Sequence, residues 1–262
     1  MARPVSLHLD TLGPASLEQK LYAAVTAGFP AVGLVESEMA EHGDEGLKEL
    51  RLNDLDVAEI VGVSGWMDDD RSSRLVAIAR AERAFALAAE VNASVVVAWC
   101  PPQLIDPALA AREFAQLCRL AEPYGVRIGL EFISRREYVK DLAGAWEIVE
   151  VAGADNGGLA IDLFHFHVGG STPLMLESVP GEKIFLVQVS DCADLPRHEL
   201  SDRHRVYPGT GELALEPLLA LLAQKGYSGY YSLELHNEDY WQEDPIVVAR
   251  EGLRSMRRLD IT

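Results

Sequence analysis

Residues 158–171 read GLAIDLFHFHVGGS and join a buried strand to a polar segment. The run is apolar as far as Asp162, as expected of a strand that is buried on both faces of a parallel sheet. His165 and His167 follow within five positions, and a glycine pair at 169–170 is expected to open the next helix. Polar side chains at the point where a parallel strand ends are typical of an active site in a barrel of strands and helices.

The same alternation of a short β-rich run and a longer helical stretch recurs along the chain. The predicted strands cover residues 5–9, 31–35, 56–62, 94–99, 126–132, 158–162, 184–190 and 230–235. The predicted helices cover residues 16–28, 44–54, 71–91, 107–123, 140–153, 172–179, 213–225 and 244–259. Eight strand–helix pairs predict one α/β domain over residues 1–262, a (β/α)8 TIM barrel. An open doubly wound sheet is less favoured, because no GxGxxG turn follows the first strand.

The charge of the chain limits its partners. The sequence has 41 acidic and 23 basic residues and a formal net charge of −18, which repels phosphate backbones and anionic lipid. We therefore expect no nucleic-acid or membrane partner. The three cysteines are too few and too scattered for a disulfide framework or a zinc knuckle. With neither a signal-like N-terminus nor an apolar run of about 20 residues, a cytoplasmic protein is predicted. A homo-oligomer remains open.

Four successive predicted strands, the fifth to the eighth, end in oxygen-bearing side chains. These side chains belong to Glu131, Asp162, Gln188 and Glu234. Because the carboxyl ends of barrel strands meet at one face, we expect the four groups to converge there. Three carboxylates and an amide oxygen are hard ligands of the kind that Mg²⁺ and Mn²⁺ prefer.

Each of these residues also has a simpler structural interpretation. A single acid at a strand end is more often a solvated loop residue or a helix cap than a ligand, but four such residues in register favour a site. Gly129 and Ser232 lie two positions before two of the acids, on the same face of their strands, and should leave space beneath them. His165 could cap a turn, and for His167 a surface position is the preferred interpretation.

Five segments of the chain resemble a known family. They are AEPYGVRIGLEF (121–132), IDLFHFHVGGS (161–171), EKIFLVQVSDCADLP (182–196), DRHRVYPGTGEL (202–213) and GYYSLELHNEDYW (229–241). Taken in this order, they are similar to the xylose isomerase-like TIM barrels of the sugar isomerase/epimerase superfamily, and within it to the 2-keto-myo-inositol (inosose) isomerases. The likeness is densest from residue 121 to residue 241.

The resemblance implies one divalent metal ion per chain, with Mn²⁺ or Mg²⁺ favoured and Zn²⁺ or Co²⁺ as alternatives. The implied metal ligands are Glu131, Asp162, Gln188 and Glu234. The implied substrate-binding residues are His165 and Arg205. Position 188 departs from the pattern, since inosose isomerases carry His where this chain has Gln. A glutamine there is similar to the 3-dehydroshikimate dehydratases of the same superfamily.

The predicted function is a metal-dependent isomerase or epimerase that acts on a sugar, a keto-polyol or a cyclic hydroxy-ketone. Such a reaction removes a proton beside a carbonyl, and a divalent metal stabilises the enediolate that results. Glu131 and Glu234 are the predicted catalytic carboxylates, one removing the proton and the other returning it. His165 and Arg205 would stabilise the negative oxygen.

Other functions are less favoured. A dehydratase would begin with the same proton abstraction and then expel a β-hydroxyl group, so it stays as the alternative. A barrel that has lost its metal and its activity fits less well, because Glu131, Asp162 and Glu234 are all present. A related DNA-repair endonuclease would need more histidine ligands and a basic face for DNA, which the net charge of −18 argues against.

Overall fold

The computed structural model describes residues 4–259, and eight parallel strands within this range close into a barrel. They are β1 (Val5–His8), β2 (Ala31–Val35), β3 (Asp56–Val63), β4 (Val96–Trp99), β5 (Ile128–Glu131), β6 (Gly157–Asp162), β7 (Ile184–Val189) and an eighth barrel strand, Tyr231–Leu233. The eighth barrel strand pairs with both β7 and β1, which closes the ring. The predicted (β/α)8 barrel is confirmed. The predicted domain also includes residues 1–3 and 260–262, which lie outside the described range.

Helices follow the strands along the chain. They are α1 (Leu17–Ala27), α2 (Glu36–Leu52), α3 (Arg71–Glu90), α4 (Pro107–Ala121), α5 (Leu142–Ala152), α6 (Leu163–Gly169), α7 (Pro173–Ser178), α8 (Leu215–Gln224) and α9 (Pro245–Arg258). Two predicted helix starts have the expected caps, since Ser16 accepts a hydrogen bond from the Gln19 N–H and Asp106 accepts one from the Leu109 N–H. None of the helices in residues 4–259 is both long and apolar enough to cross a bilayer.

The second helix begins earlier than predicted. It starts at Glu36, directly after β2, rather than at residue 44, and it bends at Gly43, where φ is 51° and ψ is −136°. The buried Glu36 carboxylate lies 3.3 Å from an Arg80 nitrogen and 3.5 Å from an Arg83 nitrogen. These ion pairs to α3 hold the first turn in place. These ion pairs join residues far apart in the sequence, so the local sequence pattern does not reveal that the helix starts at Glu36.

The glycine pair at 169–170 closes a helix rather than opening one. Residues 163–169 form α6, and Gly170 ends it in the left-handed conformation, with φ at 86°. A side chain at Gly169 would overlap the backbone carbonyl oxygen of Lys140. The next helix, α7, begins after Thr172, whose hydroxyl caps it. The prediction was wrong because seven residues make too short a periodic segment to recognise.

The interior of the barrel is apolar on one side and polar on the other. Side chains alternate between the two faces of a strand, and on the side of the barrel formed by β3 to β7 the side chains that point inward form an apolar cluster. This cluster consists of Val61, Val95, Val97, Ala160, Phe185 and Leu186. On the opposite side Ser6, Glu59 and Ser232 are fully buried. A second, larger apolar core packs the helices against the outside of the barrel.

Glu59 occupies the space that the sequence predicted beneath Glu234. Ser232 donates a hydrogen bond from its hydroxyl to one Glu59 oxygen, and the other oxygen has no hydrogen-bond partner among the described residues. Gly33 on the adjacent strand makes room, because a Cβ there would overlap the Glu59 carboxyl group. Burial, with a smaller contribution from Glu234, raises the pKa of Glu59 from 4.5 to about 7.

This raised pKa predicts a pH-dependent cost in stability. Below pH 4.5 the carboxyl is protonated in both the folded and the unfolded chain. Between pH 4.5 and about 7 only the unfolded chain ionises, so the Glu59 contribution to the free energy of unfolding falls as pH rises, by about 3 kcal/mol in total. Glu59→Gln should therefore gain stability relative to the wild type across this window.

Urea unfolding of both proteins at several pH values measures the difference. Glu82→Gln, on the exposed surface of α3, serves as the matched control and should follow the wild type. A difference between Glu59→Gln and the wild type that stays constant from pH 5 to pH 8 would contradict the assignment.

Candidate active site

A cavity of about 430 Å³ opens at the carboxyl ends of the barrel strands. Four of the six predicted site residues line it: Glu131, His165, Arg205 and Glu234. The other two, Asp162 and Gln188, are fully buried and lie opposite each other at the ends of β6 and β7. The barrel thus brings all six residues to one end, because its parallel strands finish at the same face.

Asp162 connects the end of β6 to the start of α6. One of its oxygens accepts a hydrogen bond of 2.8 Å from the His165 backbone N–H and so caps the helix. The cap directs the His165 side chain back into the cavity. Ligand atoms of Glu131, Asp162 and His165 lie within 4.8 Å of one another, close enough to share a metal ion. The sequence assigned His165 to the substrate, whereas the geometry also brings its ring within reach of a metal.

Arg205 neutralises part of this acidic cluster. One guanidinium nitrogen donates to the second Asp162 oxygen at 2.6 Å, and the guanidinium also donates to Asp202 at 2.9 and 3.0 Å. Its planar group stacks on the Phe164 ring at 4.5 Å. Burial opposes the charged form, but Asp162, Glu234 and Asp202 together raise the pKa of Arg205 above its ordinary value. Arg205 is therefore a permanent buried cation.

Two of the predicted ligands have oxygens free for a cation. Both amide atoms of Gln188 are buried without a hydrogen-bond partner among the described residues, and so is one oxygen of Glu234. Buried polar atoms are rarely left unpaired, so such a group calls for an explanation. An ion held by Glu131, Asp162, Gln188 and Glu234 would satisfy these oxygens. These four donors are oxygens, and the His165 ring adds a nitrogen within reach, so the chemistry of the site fits a divalent cation.

The two cavity glutamates differ in their surroundings. Burial and the charges of Glu234 and Asp162 raise the pKa of Glu131 well above its ordinary value. Burial acts on Glu234 in the same direction, but His8, His236 and Arg205 hold the pKa of Glu234 well below its ordinary value. Without a metal the two carboxyl groups therefore favour opposite protonation states, as in enzymes that need one acid and one base.

His165 is neutral, and its hydrogen-bond partners fix its tautomer. Burial lowers the pKa of His165. Its Nε2 lies 3.4 Å from an Arg205 nitrogen, which can only donate, so Nε2 is the acceptor. The hydrogen is therefore on Nδ1, which donates to the Ser134 hydroxyl at 3.1 Å. His167 is half-buried and lies outside the lining of the cavity, so it takes no part in the site.

Sequence reasoning missed three residues that shape the cavity. His8, at the end of β1, and His236, two residues after Glu234, both approach the Glu234 carboxylate. Asp202 pairs with Arg205. His8 ends a strand as the predicted ligands do, so the same rule applied to the first strand finds it. Asp202 lies three residues before Arg205 in a short turn and does not end a predicted strand, so the same rule does not find it.

Asp191 fixes the loop that carries Arg205. Its buried carboxylate accepts four backbone hydrogen bonds, at distances of 2.8 to 3.0 Å, from the N–H groups of Cys192, Gly209, Gly211 and Leu213. A side chain at Gly211 would overlap the Cys192 carbonyl oxygen. The GTGE sequence at 209–212 is therefore a turn wrapped around one carboxylate, which holds the end of the loop against β7.

Comparison with known proteins places these features in a family. The model of the xylose isomerase-like TIM barrel family matches residues 21–259. The inosose isomerase of Halalkalibacterium halodurans is 42% identical over 140 residues, which cover 52% of this chain and 50% of that protein. The 3-dehydroshikimate dehydratase of Pseudomonas aeruginosa is 34% identical over 254 residues, which cover 94% of this chain and 40% of that protein. The chain thus spans half or less of the length of these relatives.

Solved structures share the fold. The IOLI protein, crystallised with a bound zinc atom, superposes on this chain with a TM-score of 0.89 at 24% sequence identity. The superposition covers 99% of this chain and 98% of the IOLI chain. A fusion of a xylose isomerase-like TIM barrel with 4-hydroxyphenylpyruvate dioxygenase gives the same TM-score at 26% identity, over 99% of this chain and 43% of that protein. The barrel of this chain is therefore the barrel of that family.

The hydrogen bonds of Asp191 predict a large effect of a small substitution. Asp191→Asn removes the charge and turns an amide N–H₂ group towards backbone N–H donors. We expect it to lower the free energy of unfolding by about 3 kcal/mol, because buried donors lose a charged acceptor. Thermal or urea unfolding measures the loss. Asp194→Asn, exposed three residues away, is the control and should unfold like the wild type. Equal stability of the two variants would refute this role of Asp191.

Proposed function

We propose that this chain, which belongs to the xylose isomerase-like TIM barrel family, is a metal-dependent isomerase or epimerase of a small, uncharged keto-polyol. The observation that carries the proposal is the pair of glutamates, Glu131 and Glu234, which face one cavity from β5 and from the eighth barrel strand. Two carboxylates on different sides of a substrate can remove a proton from one carbon and return it to another or to the opposite face.

Four residues would hold the metal: Glu131, Asp162, Gln188 and Glu234. We favour Mn²⁺ or Mg²⁺ over Zn²⁺ or Co²⁺, because these ligands are oxygens. Once bound, a divalent ion would polarise the substrate carbonyl and stabilise the negative oxygen formed by proton removal. When Glu131, Asp162 and Glu234 are all ionised, their charges and that of Arg205 sum to −2, which a divalent ion would balance.

Residues of the chain would bind and orient the substrate. His165 can accept a hydrogen bond from a substrate hydroxyl at Nε2, the nitrogen that already faces the Arg205 guanidinium. The Arg205 guanidinium, held by Asp162 and Asp202, adds positive charge on the same side of the cavity. Trp99 and Trp241 line the cavity walls and would exclude water from the reacting carbons.

The charge of the cavity supports an uncharged substrate. Five carboxylates line it against two guanidinium groups: Asp10, Glu131, Asp202, Glu234 and Glu238 against Arg203 and Arg205. Arg205 is already paired, and Arg203 is exposed. A phosphate or carboxylate on the substrate would therefore meet more negative than positive charge. This favours a neutral keto-polyol of the inosose kind, the substrate class named by relatives such as that of H. halodurans.

A dehydratase of the 3-dehydroshikimate type is the second candidate. Two observations favour it: the amide ligand Gln188, and the P. aeruginosa dehydratase, whose similarity extends over 94% of this chain. Both reactions begin with the same proton removal, so the same glutamates would serve either. The dehydratase substrate carries a carboxylate, for which the cavity offers no unpaired buried cation among the residues that line it.

The product mass distinguishes the two reactions. The protein is incubated in heavy water with Mn²⁺ and with an inosose, a ketose or 3-dehydroshikimate. We expect an inosose or ketose to yield an isomer of equal mass, or one heavier by a deuterium taken up from solvent, because the proton passes through a carboxylate that exchanges with water. A product lighter by one water, found by mass spectrometry with 3-dehydroshikimate alone, would establish the dehydratase instead.

The proposed metal site has its own test. Glu234→Gln removes one anionic ligand but keeps the shape of the side chain. We expect Mn²⁺ affinity to fall by about a hundredfold, at least as much as the loss of an outer-sphere partner costs in other metalloproteins. Calorimetric titration of metal-stripped protein measures it. Glu238→Gln, at the exposed rim of the same cavity, is the matched control and should bind Mn²⁺ as the wild type does. Unchanged affinity in Glu234→Gln would rule out the site.

A further inference from the structure

The two oxygens of Glu234 have different partners. His236 lies two residues further along the chain, and its Nε2 is 3.2 Å from Glu234 Oε1. The Nε2 of His8 approaches the same oxygen at 3.7 Å, beyond hydrogen-bond distance. Glu234 Oε2 is buried and has no hydrogen-bond partner among the described residues. One oxygen of this carboxylate is therefore held, and the other is free.

The held oxygen fixes which nitrogen of His236 carries a hydrogen. A carboxylate only accepts, so the bond requires an N–H on Nε2. His8 also carries a hydrogen on Nε2, because its Nδ1 accepts the Asp10 backbone N–H at 3.3 Å, but this Nε2 lies 3.7 Å from Glu234 Oε1, beyond hydrogen-bond distance. His236 is thus the histidine that hydrogen-bonds Glu234. Its side chain is 29% exposed and forms part of the cavity wall, so its removal leaves the apolar core intact.

Without His236 the Glu234 carboxylate would have another partner nearby. The terminal torsion of a glutamate is soft and has no single preferred angle. An Arg205 nitrogen lies 3.9 Å from Glu234 Oε2 and already binds Asp162. If Oε1 were released, the carboxylate could turn towards the Arg205 guanidinium, and Oε2 would then be used in an ion pair.

We propose that His236 is a positioning residue that holds Glu234 by Oε1 and keeps Oε2 directed to the metal and the substrate. The inference rests on the proposed function, since it assumes that Glu234 is a metal ligand. His236 would be a further functional residue besides the four proposed ligands. Its hydrogen bond to Oε1 explains why Glu234 Oε2 stays unpaired although a buried arginine, Arg205, lies nearby. Outer-sphere partners of this kind typically contribute about tenfold to a hundredfold to metal affinity.

Two substitutions at position 236 separate the hydrogen bond from the ring. His236→Phe keeps the volume and removes the donor, whereas His236→Gln keeps an N–H donor at a similar reach. We expect Mn²⁺ affinity of the metal-stripped protein to fall about tenfold in His236→Phe and to stay within about threefold of the wild type in His236→Gln. Competition with a fluorescent chelator measures affinity without turnover. With substrate, kcat should fall in the same order while KM changes less.

The controls distinguish failure of this inference from failure of the proposed function. His198→Phe, at a highly exposed histidine, should bind Mn²⁺ as the wild type does. If Glu234→Gln loses affinity but His236→Phe does not, Glu234 is a ligand and the positioning role of His236 is wrong. That role is equally wrong if His236→Gln is as weak as His236→Phe while both fold like the wild type by circular dichroism. If the wild type binds no Mn²⁺, the proposed function itself fails, and this inference with it.

Discussion

The buried ion pair between Arg205 and Asp162 is the interaction on which the rest of the site depends. Both side chains are almost fully excluded from solvent, and their nitrogen and oxygen lie 2.6 Å apart. Burying either charge alone would be costly, so each requires the other. The pair also joins the end of β6 to the loop that begins after β7. Three carboxylates can approach one another at this end of the barrel because a permanent cation lies among them.

The barrel supports this cluster from below with a second polar layer. A (β/α)8 barrel usually fills its interior with branched apolar side chains, and the β3-to-β7 side does so. Beneath Glu234 the chain instead places Glu59, Ser232 and Ser6. Gly33 is required for this, because any larger residue would displace the Glu59 carboxyl group. The raised pKa of Glu59 predicts that this layer lowers stability at neutral pH, and such a cost in a core is typical of regions shaped by function rather than by packing.

Sequence reasoning predicted the barrel and the convergence of the four proposed ligands, because both follow from periodicity. Strands and helices alternate with recognisable periods, and parallel strands of a barrel end at one face, so Glu131, Asp162, Gln188 and Glu234 could be brought together without coordinates. The features it missed have no periodic signal in the sequence. Asp202 lies three residues before Arg205, in a turn too short to have a period, and Glu59 reads as one polar residue in an apolar strand.

The unequal surroundings of Glu131 and Glu234 give the site a direction. Glu234 faces His8, His236 and Arg205, all of which favour its ionised form, whereas Glu131 has two carboxylates as its strongest charged neighbours and favours its protonated form. A metal ion shared by both would reduce this difference, but the N–H donors would remain on the Glu234 side alone. In the proposed reaction Glu234, which is ionised, would receive the proton beside the carbonyl, and Glu131 would give one back. An isomerase needs both steps, while a dehydratase needs the second only to protonate a departing hydroxyl group. Under the proposed function, the protons would therefore pass between these two carboxylates, and the geometry of the substrate would decide whether a carbon or an oxygen accepts the second proton.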